Sequence, residues 1–257
     1  MKNIKAIVVD LDKTLLRTDK TISLYTAKVL ERCKNNAIKI MIATARPLRD
    51  TIKYYEELSF DAMVVSNGAR IICENEQMEY GISQKSANRL LAILEHHDDL
   101  RITLETGNCA YSNKPIEDYE TVLTDDFKGI VAKEGVLKIL VHLDNDKALE
   151  IVKEALSEDM YYTIAHGYLI QIMDKTATKW NGVKAMLDVT NCLPEETVYF
   201  GDDEDDLEPI KKCGVGVAVK NGIDEVKSAA DYITESNDED GVAKFIEKIL
   251  SGEFSVI

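Results

Sequence analysis

Short, mostly apolar runs that stop abruptly at a polar residue recur along this chain of 257 residues. Residues 4–9 end at Asp10, 38–43 at Thr44, 62–65 at Ser66-Asn67-Gly68, and 197–200 at Gly201-Asp202. Runs of this kind, rich in β-branched residues and without polar alternation, suit strands buried on both faces of a parallel sheet. The segments between them supply covering helices. Leu24, Ala27, Leu30 and Cys33 recur at steps of three behind Ser23, whose hydroxyl suits an N-cap, so the spacing predicts a helix over 23–35. Pro47 fits the first turn of another, with Leu48, Ile52 and Tyr55 on one face. Strand, helix, strand, helix, strand is the signature of an α/β domain with helices on the faces of its sheet.

Between residues 83 and 174 the pattern changes. Ala87, Leu90, Leu91 and Leu94 mark an amphipathic helix, and Ile102 and Leu104 alternate with polar neighbours as in a half-exposed strand. A strand follows over 136–143, then a helix carrying Ala148, Val152 and Ala155. Residues 161–165 and 168–173 bracket His166-Gly167 as a tight hairpin. Mixed hairpins and helices indicate an α+β unit. The buried-strand type resumes at 197–200 and 215–219. The expectation is therefore a core of residues 1–82 and 175–257, with an α+β cap domain of residues 83–174 inserted into it.

Ligands of open parallel sheets bind beyond the carboxyl ends of the strands. Asp10, Thr44 and Asp202 each follow such a strand, so they should converge on one edge. In Asp10-Leu11-Asp12-Lys13-Thr14, two carboxylates at i and i+2 can act on the same atoms, one as nucleophile and one as proton carrier; an Asp can also simply cap the turn. Asp202-Asp203-Glu204-Asp205-Asp206 gathers five acids, whose repulsion a hard, oxygen-seeking cation such as Mg²⁺ relieves; a solvated acidic loop is the other reading. Thr44 offers a hydroxyl and neighbouring backbone N–H groups. Lys179 begins a helix carrying Val183 and Leu187, against the dipole preference for anions at helix starts, unless it is there to meet an anion. Arg46 is placed either to touch a substrate anion or to pack at a helix start.

Charge narrows the function. Thirty-one Lys and Arg against 46 Asp and Glu give a net charge of −15, which opposes nucleic-acid binding. Small phosphorylated metabolites stay open as partners, because a metal ion inverts the local field. No apolar run approaches the ~18 residues of a membrane span, and the first strand leaves no room for a signal peptide. Five scattered cysteines without a CxxC read as reduced thiols, so a cytoplasmic protein is expected.

In order along the chain stand DLDKTL at Asp10, ATAR at Thr44, SNGA at Ser66, Lys179 and GDDEDD at Asp202, followed by Asn221-Gly222 and the segment 237–242. This series resembles the haloacid dehalogenase-like hydrolases, in particular the Cof-type phosphatases, from residue 4 to residue 250. The resemblance implies a Rossmann-like core and a Mg²⁺-dependent phosphatase of small phosphorylated metabolites, sugar phosphates foremost. A phosphomutase of the same superfamily or a non-catalytic metabolite-binding regulator are the alternatives. It implies that Asp10 is the nucleophile and Asp12 the proton carrier, and that Thr44, Ala45, Arg46 and Lys179 hold the phosphoryl group. Mg²⁺ would be bound by Asp10, the Asp12 backbone carbonyl and Asp202, with Asp205 and Asp206 supporting its waters. Ala45, Trp180 and Asp205 depart from the family pattern, where glycine, a small residue and asparagine are usual.

Overall fold

The computed structural model describes residues 4–74, 76–145 and 147–253. Two compact units emerge. Among the described residues, one comprises 4–46, 50–74, 76–78 and 178–253; the other comprises 47–49, 79–145 and 147–177.

The first unit opens with β1 (Ala6–Val9), α1 (Leu24–Asn35), β2 (Lys39–Ala43), α2 (Leu48–Leu58), β3 (Ala62–Val65), β4 (Arg70–Cys73) and β5 (Glu76–Glu79). The second unit holds α3 (Gln84–Leu94), β6 (Ile102–Thr106), β7 (Ala110–Ser112), β8 (Val122–Leu123), α4 (Phe127–Lys133), β9 (Val136–His142), α5 (Lys147–Ala155), β10 (Met160–Ala165) and β11 (Leu169–Asp174). The chain then returns through α6 (Lys179–Val189), β12 (Thr197–Gly201), α7 (Leu207–Lys212), β13 (Val215–Val219), α8 (Asp224–Ala229), β14 (Tyr232–Thr234) and α9 (Gly241–Leu250).

The sheet of the first unit runs β14-β13-β12-β1-β2-β3-β4-β5, parallel from β14 through β3 and antiparallel at β3–β4. Its central strands are buried, apart from the half-buried Lys39 that starts β2, as their apolar runs require. Strand order reverses at β1, which pairs with β12 on one side and β2 on the other. Right-handed crossovers leaving such a point in opposite directions put their helices on opposite faces. Accordingly α1 packs with α9, and α6 with α7. Ser23 caps α1 as expected, its hydroxyl accepting from the Thr26 N–H at 3.0 Å.

The second unit is a six-stranded sheet, β10-β11-β9-β6-β7-β8, with α3, α4 and α5 packed through Leu90, Phe127, Val131 and Val152 onto one face. His166 and Gly167 both adopt positive φ (54° and 76°), the conformation a two-residue hairpin demands. One expectation fails here. Ile102 and Leu104 suggest a half-exposed strand, but all five residues of β6 are buried, Thr103 and Glu105 included. Alternation shows that the two faces of a strand differ in polarity; it does not show that the polar face is wet. No helix among the described residues is long and apolar enough to cross a membrane.

Candidate active site

Register brings the motifs together. Val9 pairs with Ile42 on one side and Phe200 on the other, so Asp10, Thr44 and Asp202 leave neighbouring strands at one edge of the sheet. Adjacent strands lie about 4.8 Å apart, within reach of short side chains. Carboxylate oxygens of Asp10, Asp202 and Asp206 all fall within 4.8 Å of one another, and all three residues are buried.

Lys179 lies in the middle of this acidity. Thr178 caps α6, and Gly68 and Gly182 let the helix start approach the SNG turn: a Cβ on Gly68 (φ 99°) would sit 2.0 Å from the Thr178 carbonyl oxygen. Lys179 is 5% exposed, and its ammonium donates to Asp10 at 3.0 Å and to Asp206 at 2.6 Å. Burial opposes its charge, but Asp10 and Asp206 outweigh that and push its pKa upward.

Asp206 is a structural hub. One oxygen accepts from Lys179 and from the Tyr199 hydroxyl at 2.6 Å; the other accepts the backbone N–H groups of Asp202 and Asp203 at 2.9 and 3.1 Å. Gly201 makes room for it, since a Cβ there would meet the Asp206 side chain at 2.4 Å. Tyr199 was not legible as a site residue, because in sequence it is one more large side chain in a buried strand.

Asp10 and Asp202 each keep one oxygen without a hydrogen bond among the described residues. Lys179 uses only Asp10 Oδ1, and the Thr14 hydroxyl donates only to Asp202 Oδ1, at 2.7 Å. Burial pushes the Asp10 carboxyl well above its ordinary range and raises Asp202 to about 6. Three buried carboxylates against one ammonium leave two negative charges uncompensated when all are ionised. An oxygen-only donor set short of two positive charges is of the kind that fits a hard divalent cation such as Mg²⁺.

The Asp12 carboxylate lies outside the buried cluster; Arg46 clamps it through Nε and Nη2 at 2.5 and 2.7 Å, and Lys20 donates at 2.6 Å. Burial would raise the Asp12 carboxyl, but these two cations hold it down at about 2. Arg46 is correspondingly engaged with Asp12 and not displayed toward an open anion site. Thr44 is buried at the end of β2, its hydroxyl accepting from the Arg46 N–H at 3.2 Å, with half-buried Ala45 between them. Asp205 accepts from the Asn67 amide at 2.5 Å. Trp180 is buried beneath the Lys212 ammonium, 5.1 Å from its ring centroid.

The C-terminal motifs hold the loop after Asp10. Asn221 donates to the Lys13 carbonyl at 2.7 Å and accepts from the Asn237 N–H at 2.9 Å, and the Asn237 amide donates to the Leu16 carbonyl at 3.0 Å. Ile223 N–H donates to the Asp202 carbonyl at 2.9 Å, and a Cβ on Gly222 would crowd that same oxygen at 3.1 Å. These residues keep Asp10 and Asp202 in register.

Comparison with known proteins gives the family. Residues 7–246 match the family model described as haloacid dehalogenase-like hydrolase. A 5-amino-6-(5-phospho-D-ribitylamino)uracil phosphatase of Bacillus subtilis is 28% identical over 263 aligned positions, covering 95% of this chain and 97% of its own. A haloacid dehalogenase-like hydrolase from Bacteroides thetaiotaomicron superposes with a TM-score of 0.86 at 28% identity, over 96% of this chain and 100% of its own. A Thermotoga maritima structure at 23% identity shares the fold, with a TM-score of 0.87 over 99% of this chain and 98% of its own. The chain belongs to the haloacid dehalogenase-like hydrolase family.

Proposed function

We propose that this haloacid dehalogenase-like hydrolase is a Mg²⁺-dependent phosphatase of small phosphorylated metabolites, with sugar and polyol phosphates as its substrate class. The observation that carries the reading is Asp10: a buried carboxylate at a strand end, ion-paired to a buried lysine and beside a second acid. A purely structural aspartate has no need of that setting, whereas a nucleophile does. The relative from Bacillus subtilis, named for a phosphorylated ribityl substrate, supports the polyol class.

In this reading one Asp10 oxygen attacks phosphorus, the ester oxygen leaves, and water then hydrolyses the acyl phosphate to regenerate the carboxylate. Lys179 offsets negative charge on Asp10 and on the phosphoryl oxygens, and Thr44 donates its hydroxyl to one of them. Asp10 and Asp202 would hold a Mg²⁺ ion, which when bound would supply Lewis-acid neutralisation of the phosphoryl charge. Asp12 can hand a proton to the leaving oxygen only after parting from Arg46 and Lys20, since in their grip it is an ionised carboxylate. The cap of residues 83–174 takes the remaining task, choosing the leaving group, because the catalytic side chains all lie outside it.

Phosphate release from p-nitrophenyl phosphate and from a panel of sugar and polyol phosphates, with Mg²⁺ and after chelation, tests the reading. Turnover that needs Mg²⁺ and yields free phosphate is expected. Isomerised ester without phosphate release would establish a mutase, and no turnover of any ester a binding protein.

A further inference from the structure

Tyr199 is the largest fully buried side chain among the described residues. It stands on β12 between Val8 of β1 and Gly216 of β13. Packing at this depth does not call for a hydroxyl: Phe200, the next residue, is as deeply buried and packs as a plain ring edge-on against Phe245, with centroids 5.7 Å apart. A buried hydroxyl costs free energy unless it is bonded, and that of Tyr199 donates to Asp206 Oδ1 at 2.6 Å. Residues i and i+2 of a strand share a face. Tyr199 therefore points to the side of Gly201, whose missing side chain leaves the space that Asp206 fills. Burial, with the Asp206 charge beside it, pushes the hydroxyl well above its ordinary range, so it keeps its proton and donates.

Every group bonded to Asp206 is a donor. The Asp202 and Asp203 N–H groups anchor Oδ2, and Tyr199 and Lys179 share Oδ1. Those four bonds fill the acceptor positions of a carboxylate, whereas Asp10 and Asp202 each keep an oxygen without a hydrogen bond among the described residues. Lysine carries its ammonium on a flexible four-carbon stem, so the charge rests where its acceptors put it. Of the two acceptors here Asp206 is the nearer, at 2.6 Å against 3.0 Å for Asp10. Without the Tyr199 hydroxyl, Oδ1 would answer to Lys179 alone. The carboxylate would then swing about its Oδ2 anchor, and the ammonium would follow it away from Asp10.

We infer that Tyr199 is a positioning residue: its hydroxyl fixes the Asp206 carboxylate, and Asp206 in turn holds the Lys179 ammonium against Asp10. The ammonium so held is the charge that offsets the nucleophile and the phosphoryl oxygens. The inference rests on reading Asp10 as the nucleophile of a phosphatase, and it adds what keeps the lysine of that site in place. A tyrosine that only filled the core could give way to phenylalanine with the site unmoved.

Tyr199→Phe keeps the ring and removes the one donor. Crystal structures of the parent and of this variant, both without substrate, read the Lys179–Asp10 distance directly. The ammonium is expected within hydrogen-bond reach of Asp10 in the parent and beyond about 3.5 Å in the variant. With p-nitrophenyl phosphate and Mg²⁺, kcat should fall about tenfold while KM changes by less than about twofold. Introducing p-aminophenylalanine at position 199 returns an N–H donor beside Asp206 and should recover most of the kcat and the parent distance. An unmoved ammonium in Tyr199→Phe, a kcat within about threefold of the parent, or a loss that p-aminophenylalanine leaves in place overturns the inference. If circular dichroism shows Tyr199→Phe unfolded, the p-aminophenylalanine protein decides: Lys179 on Asp10 supports the inference, and Lys179 off Asp10 overturns it. Failure of the parent to turn over any ester counts against the phosphatase reading instead, and the Lys179–Asp10 distance alone then decides the positioning.

Discussion

Asp10 is 5% exposed and shares one lysine with Asp206, whereas Asp12, two residues further along the same loop, is half-exposed and holds two cations to itself. Burial drives the first carboxyl up and Arg46 and Lys20 hold the second near 2. The same residue type thus meets too little positive charge in one place and ample charge in the other. In the proposed reading the deficit is where a cation and a phosphoryl group would find stabilisation, and the surplus holds a carboxylate in its ionised form. A motif of two aspartates is chemically asymmetric because its surroundings are.

Removing the nucleophile should break this contrast most completely. Asp10→Asn is expected to lower p-nitrophenyl phosphate turnover about a thousandfold or more with circular dichroism unchanged. Activity within about tenfold of the parent refutes the assignment. Lys179→Met strips the deficient side of its only buried cation and should lower stability by about 3–5 kcal/mol in urea unfolding without Mg²⁺. A loss below about 1 kcal/mol would show that the carboxylates are already neutral there.

Asp12→Asn tests the other side. Hydrolysis of a sugar phosphate, whose leaving alkoxide needs a proton, should fall about a hundredfold, and p-nitrophenyl phosphate far less. Equal losses on both would remove Asp12 from proton transfer.

Metal binding sharpens the comparison through pH. Asp202 titrates at about 6 in the fold against about 4 unfolded, so its stabilising contribution is complete below about 4 and lost as pH rises through about 6. In the proposed reading Mg²⁺ takes the carboxylate form, so its Kd should be lower at higher pH. At one fixed Mg²⁺ concentration the stabilisation, about 2.7 kcal/mol where that concentration is a hundredfold above Kd, should therefore be larger at about pH 7.5 than at about pH 5. A pH-independent increment would place the ion away from Asp202.

The smallest effect is expected from Arg46→Ala. On a half-exposed pair the stability change should stay within about 1 kcal/mol, while the Asp12 carboxyl titration followed by ¹³C NMR moves up from about 2 toward ~3.9. An unmoved midpoint would mean that Lys20 alone holds it.

Much of this was written locally. The unbroken apolar runs require strands covered on both faces, Ser23 caps α1 through a contact three residues away, and His166-Gly167 turns a hairpin through its own φ angles. Parallel strands with right-handed connections then place Asp10, Thr44 and Asp202 at one edge, so their convergence follows from sequence. What the chain could not disclose are contacts between residues far apart in it. Arg46 reaches back 34 positions to Asp12, Thr14 spans 188 to Asp202, and Lys179 spans 169 to Asp10. Tyr199 reads as core until its hydroxyl is seen on Asp206, and Thr103 as solvent-facing until β6 is seen buried on both sides. Local patterns report the geometry a few residues can impose on themselves. The partner of a charge, and with it the proton it keeps or gives up, depends on which distant groups share its low-dielectric surroundings, and only the tertiary structure decides that.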